Sequence, residues 1–285
     1  MKINLKKRPC AETTRIIDNG GIPYISYLSL EKFPWLINAF STRIGGVSTG
    51  IYASMNLAFT VGDERENVLE NYRLFGDSIG ISRDKMVFSD QQHTTNVMEV
   101  TKAHLGEGIL KPRSFKDIDG IMTNVPGVCL VTSYADCVPL YFIDPVHKAI
   151  ALSHSGWRGT IGNICQNTVN EMNRLYGSDP SGMIACIGPS ICADCYEVGS
   201  DVADVFTESY GPDSGVVLPH NGGVPGKYQL DLTRANFLNM QKAGIPAENI
   251  SVPDLCTCCN GEFLHSHRAS HGKRGGLCAF MMIKE

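Results

Sequence analysis

Residues 134–160 read YADCVPLYFIDPVHKAIALSHSGWRGT, and this segment contains two almost continuously apolar runs, VPLYFID and KAIALSHS. Such runs predict buried β-strands, because a strand that is covered on both faces needs no alternation with polar residues. Cys137 lies at the end of one apolar run, His154 ends the next, and a Gly-Trp-Arg turn with Arg158 follows. We therefore expect a thiol, an imidazole and a guanidinium near the ends of two strands.

Further strand-like segments and a few helical ones surround this region. Hydrophobic periodicity predicts helices at 64–80, 160–177, 197–211 and 233–244. Thr160 is the expected N-cap of the second helix and Gly177 its expected stop. Strands are predicted at 22–30, 35–43, 85–90 and 96–100, and buried strands at 127–144, 183–189 and 277–283. Strands and helices do not alternate strictly, so we predict an α/β or α+β fold, a single domain of mixed β-sheets flanked by helices at 21–285 after an N-terminal extension at 1–20.

Composition narrows the class of protein. The 285 residues are 43% hydrophobic and carry a net charge of -4, with acidic and basic residues mixed along the chain. This distribution shows no electrostatic footprint for nucleic acid and no polybasic membrane patch. No apolar run is long enough for a membrane helix, and no signal-like segment follows the basic start. We expect a cytoplasmic protein, and the sequence leaves its oligomeric state open, with a monomer plausible.

Three residues near strand ends have the chemistry of a catalytic zinc site. His93, Cys137 and His154 offer two imidazoles and one thiolate, and catalytic zinc keeps three protein ligands and one open position. Their separations along the chain do not distinguish this site from a core thiol and two hydrogen-bonded histidines.

Eleven cysteines allow a second site. Cys129, Cys165, Cys186 and Cys278 lie in apolar runs and are expected to fill the core. Cys192 and Cys195 have a zinc-knuckle spacing, and Cys256, Cys258 and Cys259 could complete a structural four-thiolate site. The second group has the pattern C-x-C-C in place of C-x-x-C, which disfavours a standard zinc ribbon.

Arginines beside Gly-rich turns suggest anion binding. Arg158 precedes a predicted helix N-terminus, which attracts anions, and Arg43 precedes a Gly-rich turn. Arg268 and Arg274 lie in the C-terminal segment HSHRASHGKRGG. The nucleotide-triphosphatase motif G-x-x-x-x-G-K-[ST] does not occur in the chain.

At these residues the chain resembles the bacterial YfiH/YlmD family, also called laccase-domain or multicopper polyphenol oxidoreductase proteins and now regarded as purine nucleoside phosphorylases. The resemblance starts near residue 20 and includes the blocks STRIGGVSTGIYASMNLAF, QQH, DIDGIMTN, ADCVPLYFIDP, SHSGWRGT, IGPSICADCYEVG, DLCTCCN and SHR. It implies a single mixed α/β domain related to Cys/His hydrolase-like folds. It also implies zinc, with copper as the alternative metal, on His93, Cys137 and His154. It disfavours the four-thiolate site, because Cys195 falls at a position where family members often carry a cysteine that lines the core or the pocket. The family's S-H-R-R tail differs here, and Arg274 is the residue that could replace the second arginine.

The resemblance implies cleavage of adenosine, inosine and methylthioadenosine with phosphate, and adenosine deamination in some members. The deaminase signature H-x-E…P-C-x-x-C is absent, so the proton carrier for deamination is not identified. The residues expected to act in catalysis are Cys137, His154, Arg158 and Asp136. The residues expected to bind sugar or phosphate are Arg43, Asn56, Arg158 and Arg268.

Three other functions remain open from the sequence. A metal-free hydrolase would use Cys137 as a nucleophile activated by His154. A copper polyphenol oxidase would need more histidines than the eight present, and the one H-x-H pair, His265 and His267, is distant in sequence from the other ligands. A non-catalytic binding protein is the third class.

Overall fold

The computed structural model describes residues 5–8 and 12–285. In this part of the chain the strands are β1 (Thr14–Asn19), β2 (Ile22–Tyr27), β3 (Leu36–Ser41), β4 (Met86–Phe88), β5 (Val97–Glu99), β6 (Gly120–Thr123), β7 (Cys129–Tyr134), β8 (Val138–Asp144), β9 (Ala149–Ser155), β10 (Ile184–Ile187), β11 (Glu197–Gly199), β12 (Val217–Pro219), β13 (Lys227–Leu230), β14 (Ile250–Ser251) and β15 (Leu277–Ile283). The helices are α1 (Arg65–Ile79), α2 (Trp157–Ile161), α3 (Ile164–Tyr176), α4 (Ser200–Tyr210) and α5 (Leu232–Lys242).

Two six-stranded mixed sheets form the centre of the molecule. The first has the order β1-β2-β3-β15-β7-β4, and the second has the order β14-β10-β8-β9-β6-β5. A small sheet, β11-β13-β12, lies beside them. The C-terminal strand β15 pairs with β3 and with β7, so distant parts of the chain share one sheet. This architecture confirms the predicted single α+β domain of mixed sheets.

The buried apolar residues form three hydrophobic clusters. One cluster lies between the two large sheets and contains Phe40 and Leu130 from the first with Ile150 and Leu152 from the second. A second cluster packs α3 and α5 on the outer face of the second sheet. The third packs α1 on the outer face of the first sheet. The four layers are therefore helix, sheet, sheet and helix, and both large sheets are covered on both faces.

Strands β8 and β9 place the predicted site. They pair antiparallel, with Pro139 opposite His154 and Val138 opposite Ser155. Side chains alternate between the faces of a strand, so Cys137, Pro139 and His154 belong to the face that meets the other sheet. The same register places Cys137, the residue before β8, opposite Gly156, the residue after β9. The thiol and the imidazole thus meet at one edge of the inter-sheet core.

The helix predicted at 160–177 is interrupted. It consists of α2 and α3, and the N-cap of α3 is Asn163, whose side chain accepts a hydrogen bond from the Gln166 amide. Thr160, the predicted cap, is buried inside α2, where its hydroxyl donates to the Gly156 carbonyl at 2.9 Å. The prediction of Thr160 as the cap was wrong because its hydroxyl is used within the preceding turn.

Part of the predicted N-terminal extension belongs to the central structure. Residues 14–19 form β1, which pairs with β2 along its whole length. The backbone amide of Arg8 donates to the Asp254 carbonyl, and Lys7 and Leu255 form an isolated antiparallel β-bridge. Among the described residues, no helix is long and apolar enough to cross a membrane.

Candidate metal centre and active-site cleft

The structure brings together His93, Cys137 and His154. Each offers one ligand atom, and these atoms all lie within 4.8 Å of one another. The Cys137 Sγ is 4.0 Å from the Nε2 of His93, and the two imidazole rings meet edge to face with centroids 4.8 Å apart. His154 is buried, Cys137 is partly exposed and His93 is exposed, so the group has one side open to solvent.

Asp119 holds both histidines in place. Its Oδ1 lies 2.7 Å from the Nδ1 of His154 and accepts the His93 backbone amide at 3.0 Å. Its Oδ2 accepts the amides of Gln92 and Thr94 at 2.9 and 2.8 Å. His93 has a left-handed backbone, φ 62°, which a non-glycine residue adopts only when its surroundings impose it. One carboxylate therefore fixes the loop of one imidazole and the orientation of the other.

The hydrogen bond to Asp119 also sets the tautomer of His154. An ionised carboxylate only accepts, so the Nδ1 carries a proton, and in the neutral ring the lone pair is on the Nε2 and faces the site. Burial raises the pKa of Asp119, but the hydrogen bonds from His154 and from the backbone amides lower it below its usual value. Metal-binding histidines are commonly oriented by such a carboxylate.

Without a metal, Cys137 and His154 form a thiolate–imidazolium pair. Burial opposes the charged forms of both groups, raising the pKa of the thiol and lowering that of the imidazole. The attraction between them is stronger: the charge of His154 lowers the pKa of Cys137 to about 6. The thiolate and the hydrogen bond to Asp119 raise the pKa of His154 to about 9.

The donor set fits a tetrahedral metal. One thiolate and two imidazoles are ligands that zinc accepts in catalytic sites. For a tetrahedral ion, a zinc-bound sulfur and nitrogen lie about 3.6 Å apart, close to the 4.0 Å between Cys137 and His93. Gly156 is adjacent, and a Cβ there would be 2.9 Å from the His93 ring and 3.2 Å from the Cys137 sulfur. The absence of a side chain at 156 leaves room for the three ligands.

A cleft of about 520 Å³ opens from this group. Guanidinium groups and aromatic rings share its wall with the three ligands. The Arg113 guanidinium lies 4.9 Å from the centroid of Phe88, and Arg65 lies 4.8 Å from that of Phe59. Arg274 is partly buried, and its Nε, which is shielded from solvent, has no hydrogen-bond partner among the described residues. The cleft thus combines positive charge with flat apolar surface beside the three candidate metal ligands.

Two of the predicted substrate-binding residues point elsewhere. The Arg43 guanidinium donates to the carbonyls of Ala53 and Gly261 and lines a separate, smaller cavity. Asn56 is fully buried, where its side chain bonds to Asp63 and accepts the Gly276 amide. The structure does not bring either residue to the cleft, because backbone groups and the partly buried carboxylate of Asp63 already use their polar atoms.

The other predicted residues, Arg158, Arg268 and Asp136, do not line this cleft, and the Arg268 guanidinium lies 5.3 Å from the ring centroid of Tyr196. Burial raises the pKa of Tyr196 to about 12, and the charges of Cys137, Arg268, Asp136 and Arg158 also act on it. Arg268 donates to the carbonyls of Cys195 and Glu197 at 3.3 and 2.9 Å. The exposed Arg158 stacks on Trp157, with 4.4 Å between the guanidinium and the ring.

Asp136 is held by the loops around it. Its Oδ1 accepts the Thr257 hydroxyl at 2.6 Å, and its Oδ2 accepts the Arg268 amide at 2.7 Å. Its backbone is left-handed, with φ 86°, directly before Cys137. Both oxygens thus have protein partners, which favours a role in positioning Cys137.

The sequence did not predict the position of several residues that line or support the site. Asp119 lies within the block DIDGIMTN, but no role was assigned to it. Arg65 and Arg113 gave no signal, because arginines in amphipathic or polar segments are usually solvated. Arg274 was considered only as a replacement in the tail, and the structure places it in the cleft.

Eight of the described cysteines fall into two groups, one in the hydrophobic cores and one that could hold a metal ion. Cys129, Cys165, Cys186 and Cys278 are fully buried in the cores, as predicted. All ten cysteines of the described residues are free thiols. Cys192, Cys195, Cys256 and Cys259 form a second compact group, with sulfurs within 4.8 Å of one another. Cys256 and Cys259 are themselves separated by two residues, so interpreting the second half as lacking C-x-x-C was wrong.

Comparison with known proteins gives a consistent family. A family model described as multi-copper polyphenol oxidoreductase laccase matches residues 37–284. The purine nucleoside phosphorylase YlmD of Bacillus subtilis is 37% identical over 88% of this chain and 89% of its own length. The adenosine deaminase RL5, from an unknown prokaryotic organism, is 32% identical over 85% of this chain and 94% of its own. The crystal structure of YlmD from Geobacillus stearothermophilus matches with a TM-score of 0.87 and 32% identity, covering 95% of this chain and 99% of that one. The chain therefore belongs to the laccase-like family of YlmD and YfiH, as the sequence motifs predicted.

Proposed function

We propose that this protein is a zinc-dependent purine nucleoside phosphorylase that cleaves adenosine, inosine and S-methyl-5′-thioadenosine with phosphate, acting in the cytoplasm. The observation that carries this proposal is the meeting of His93, Cys137 and His154 beside a cleft lined by guanidinium groups and aromatic rings. Relatives that carry the name purine nucleoside phosphorylase support the same reaction.

His93, Cys137 and His154 would hold the zinc ion, with Asp119 orienting His154 through its Nδ1. The bound ion would supply Lewis-acid polarisation of an oxygen at its open position. Because Cys137 is stabilised as a thiolate, a cation would displace only the Nε2 proton of His154 on binding to these two residues.

Arginines of the cleft are the proposed phosphate ligands. Arg274 offers a buried Nε with no partner among the described residues, and a guanidinium can hold two phosphate oxygens at once. Arg113 is the second candidate in the cleft. Arg158 and Arg268, which do not line this cleft, remain candidates for contacts with the sugar or the phosphate. The purine would pack on the apolar wall that includes Phe59 and Phe88.

The reaction requires one bond to form and one to break at C1′ of the ribose. A phosphate oxygen forms the new bond to C1′, and the electron pair of the C1′–N9 bond leaves with the purine, which takes up a proton. Positioning by the arginines and exclusion of water would favour phosphate over water as the nucleophile.

Product analysis tests the proposal. Zinc-loaded protein is incubated with each nucleoside, with and without phosphate, and the products are separated by chromatography. We expect free base and the pentose 1-phosphate only when phosphate is present, and loss of both in Cys137→Ser. Inosine and ammonia from adenosine without phosphate would reveal deamination, as the name of RL5 describes for that relative. Neither product from any nucleoside would refute a nucleoside-processing role.

A second candidate is a Cys/His hydrolase, favoured by the thiolate–imidazolium pair of Cys137 and His154 with Asp119 behind it. Chelated protein would then keep its activity, and an acyl adduct would form on Cys137. The zinc proposal predicts loss of activity on chelation.

Copper chemistry is the third possibility, because the family description names copper. His265 lines a separate cavity with Arg43, so it does not join the His93, Cys137 and His154 group. Oxygen uptake with phenols by copper-loaded protein would support this activity, and its absence would leave zinc as the working metal.

A further inference from the structure

A second group of potential metal ligands lies outside the cleft. It combines two C-x-x-C turns: Cys192 and Cys195 follow β10, and Cys256 and Cys259 follow β14. Cys192 and Cys256 are buried, and Cys195 and Cys259 are partly exposed. Two C-x-x-C turns that face each other are the usual framework of a structural tetrathiolate site.

The sulfur positions fit a single ion. Sulfurs bound to one tetrahedral zinc lie about 3.8 Å apart, given a Zn–S bond of about 2.3 Å. The Sγ of Cys259 is 3.4 Å from that of Cys195 and 3.9 Å from that of Cys192. A disulfide would bring two sulfurs to about 2.05 Å. All four are free thiols, so the distances indicate packing around a common centre.

The backbone also favours thiolates here. The Sγ of Cys256 accepts the amide of Cys259 at 3.4 Å and the amide of Cys192 at 3.2 Å. Amides that donate to sulfur stabilise its negative charge.

The immediate surroundings are basic. The N-terminal segment packs beside the cluster through two hydrogen bonds between the backbone of Lys6 and the side chain of Asn260. Lys6, Lys7, Arg8 and Arg234 line a cleft together with three of the cysteines, and Asp194 and Asp231 also line it, so its charged side chains are basic on balance. Four thiolates around a divalent cation leave a net charge of about −2, which these side chains would partly offset.

The two C-x-x-C turns lie in loops that are linked to Asp136, the residue before Cys137. Ser190 and Cys256 form an isolated parallel β-bridge, and the Thr257 amide donates to the Ser190 carbonyl at 3.1 Å. Thr257 and Arg268 donate to the two carboxylate oxygens of Asp136. A crosslink between the loops would therefore brace Asp136.

We propose that Cys192, Cys195, Cys256 and Cys259 bind one structural zinc ion, separate from the metal of the cleft. Binding replaces the thiol protons, which leave to solvent, and involves no change of oxidation state. The ion joins the loop after β10 to the loop after β14 and so fixes the turn that presents Cys137. This proposal stands independently of the reaction at the cleft.

Metal content tests it directly. Protein purified under reducing conditions with zinc is freed of loosely bound metal, and zinc per chain is measured by elemental analysis. We expect two equivalents in the unmodified protein and one in His93→Ala/Cys137→Ser, which leaves the four cysteines intact. No zinc in that double variant would overturn the proposal, and it would do so whether or not the cleft is a phosphorylase.

A matched pair of cysteine variants locates the ion. Cys259→Ser removes one proposed ligand, and Cys258→Ser changes the neighbouring, partly exposed thiol that lies outside the group. We expect the first to lose one equivalent and the second to keep both. Equal zinc content in the two variants would contradict the assignment.

Titration of the unmodified protein with a mercurial reagent gives a readout that does not depend on folding of a variant. Zinc release should follow modification of Cys192, Cys195, Cys256 and Cys259, identified by peptide mass mapping. A disulfide among these four in freshly purified protein, or visible absorption from an iron–thiolate centre, would refute the zinc assignment.

Discussion

Asp119→Asn should weaken metal binding at the cleft without changing the shape of the side chain. The Oδ1 of Asp119 faces the His93 amide and the His154 Nδ1, and the Oδ2 faces the amides of Gln92 and Thr94. An asparagine NH₂ in the first position opposes the His93 amide and moves the His154 proton to Nε2, the atom that the metal needs. In the second position it opposes two amides and opens the loop of His93.

The magnitude follows from the interactions lost. A hydrogen bond to a charged group contributes about 1.5–3 kcal/mol. Loss of a partner behind a metal-binding histidine typically lowers metal affinity about 10–100-fold, or about 1.4–2.7 kcal/mol. The two ranges agree. Since one carboxylate supports two ligands here, we expect the decrease to lie near the upper end.

Occupancy of this site can be read separately from that of the cysteine cluster. Chelator-buffered zinc is titrated, and protection of Cys137 from alkylation is followed by peptide mass spectrometry at each free zinc concentration. Asp117→Asn is the matched control, because Asp117 is exposed and its left-handed φ of 55° suits asparagine. Unchanged zinc affinity in Asp119→Asn, or an equal loss in Asp117→Asn, would refute the role assigned to Asp119.

Three further predictions concern the same region. Gly156→Ala should weaken zinc binding, because the new Cβ would lie 2.9 Å from the His93 ring, whereas Gly182→Ala, whose Cβ meets nothing within 4 Å, should bind zinc normally in the same titration. Burial and the charges of nearby arginines lower the pKa of His265 to about 3. Below pH 6.5 the unfolded chain therefore takes up a proton that the folded chain refuses, and the free energy of unfolding should fall by about 2 kcal/mol at pH 5. Urea unfolding at pH 7 and pH 5 should show this loss in the native chain and not in His265→Gln; equal losses would contradict it. In chelated protein, alkylation of Cys137 should be half-maximal near pH 6, and a midpoint near that of a free thiol would disprove the thiolate–imidazolium pair.

The sequence was sufficient for the fold class and for naming three residues that the structure brings together. Long apolar runs predicted β7, β8, β9 and β15 because burial on both faces leaves a local signature. His93, Cys137 and His154 were recognisable from their chemistry and from family motifs. The interrupted helix at α2 and α3 was not, because its cause is the use of the Thr160 hydroxyl by the preceding turn.

Tertiary structure decided which polar groups serve the site. Arg43 and Arg274 look alike in sequence, yet backbone carbonyls engage the guanidinium of the first, and the second reaches the cleft with an unpartnered Nε. The double role of Asp119 and the facing of two C-x-x-C turns likewise depend on strand order and register. Hydrophobic periodicity is a local property of the chain, whereas the partners of a charged side chain are set by segments far away in sequence, and only the folded molecule brings them within hydrogen-bonding distance.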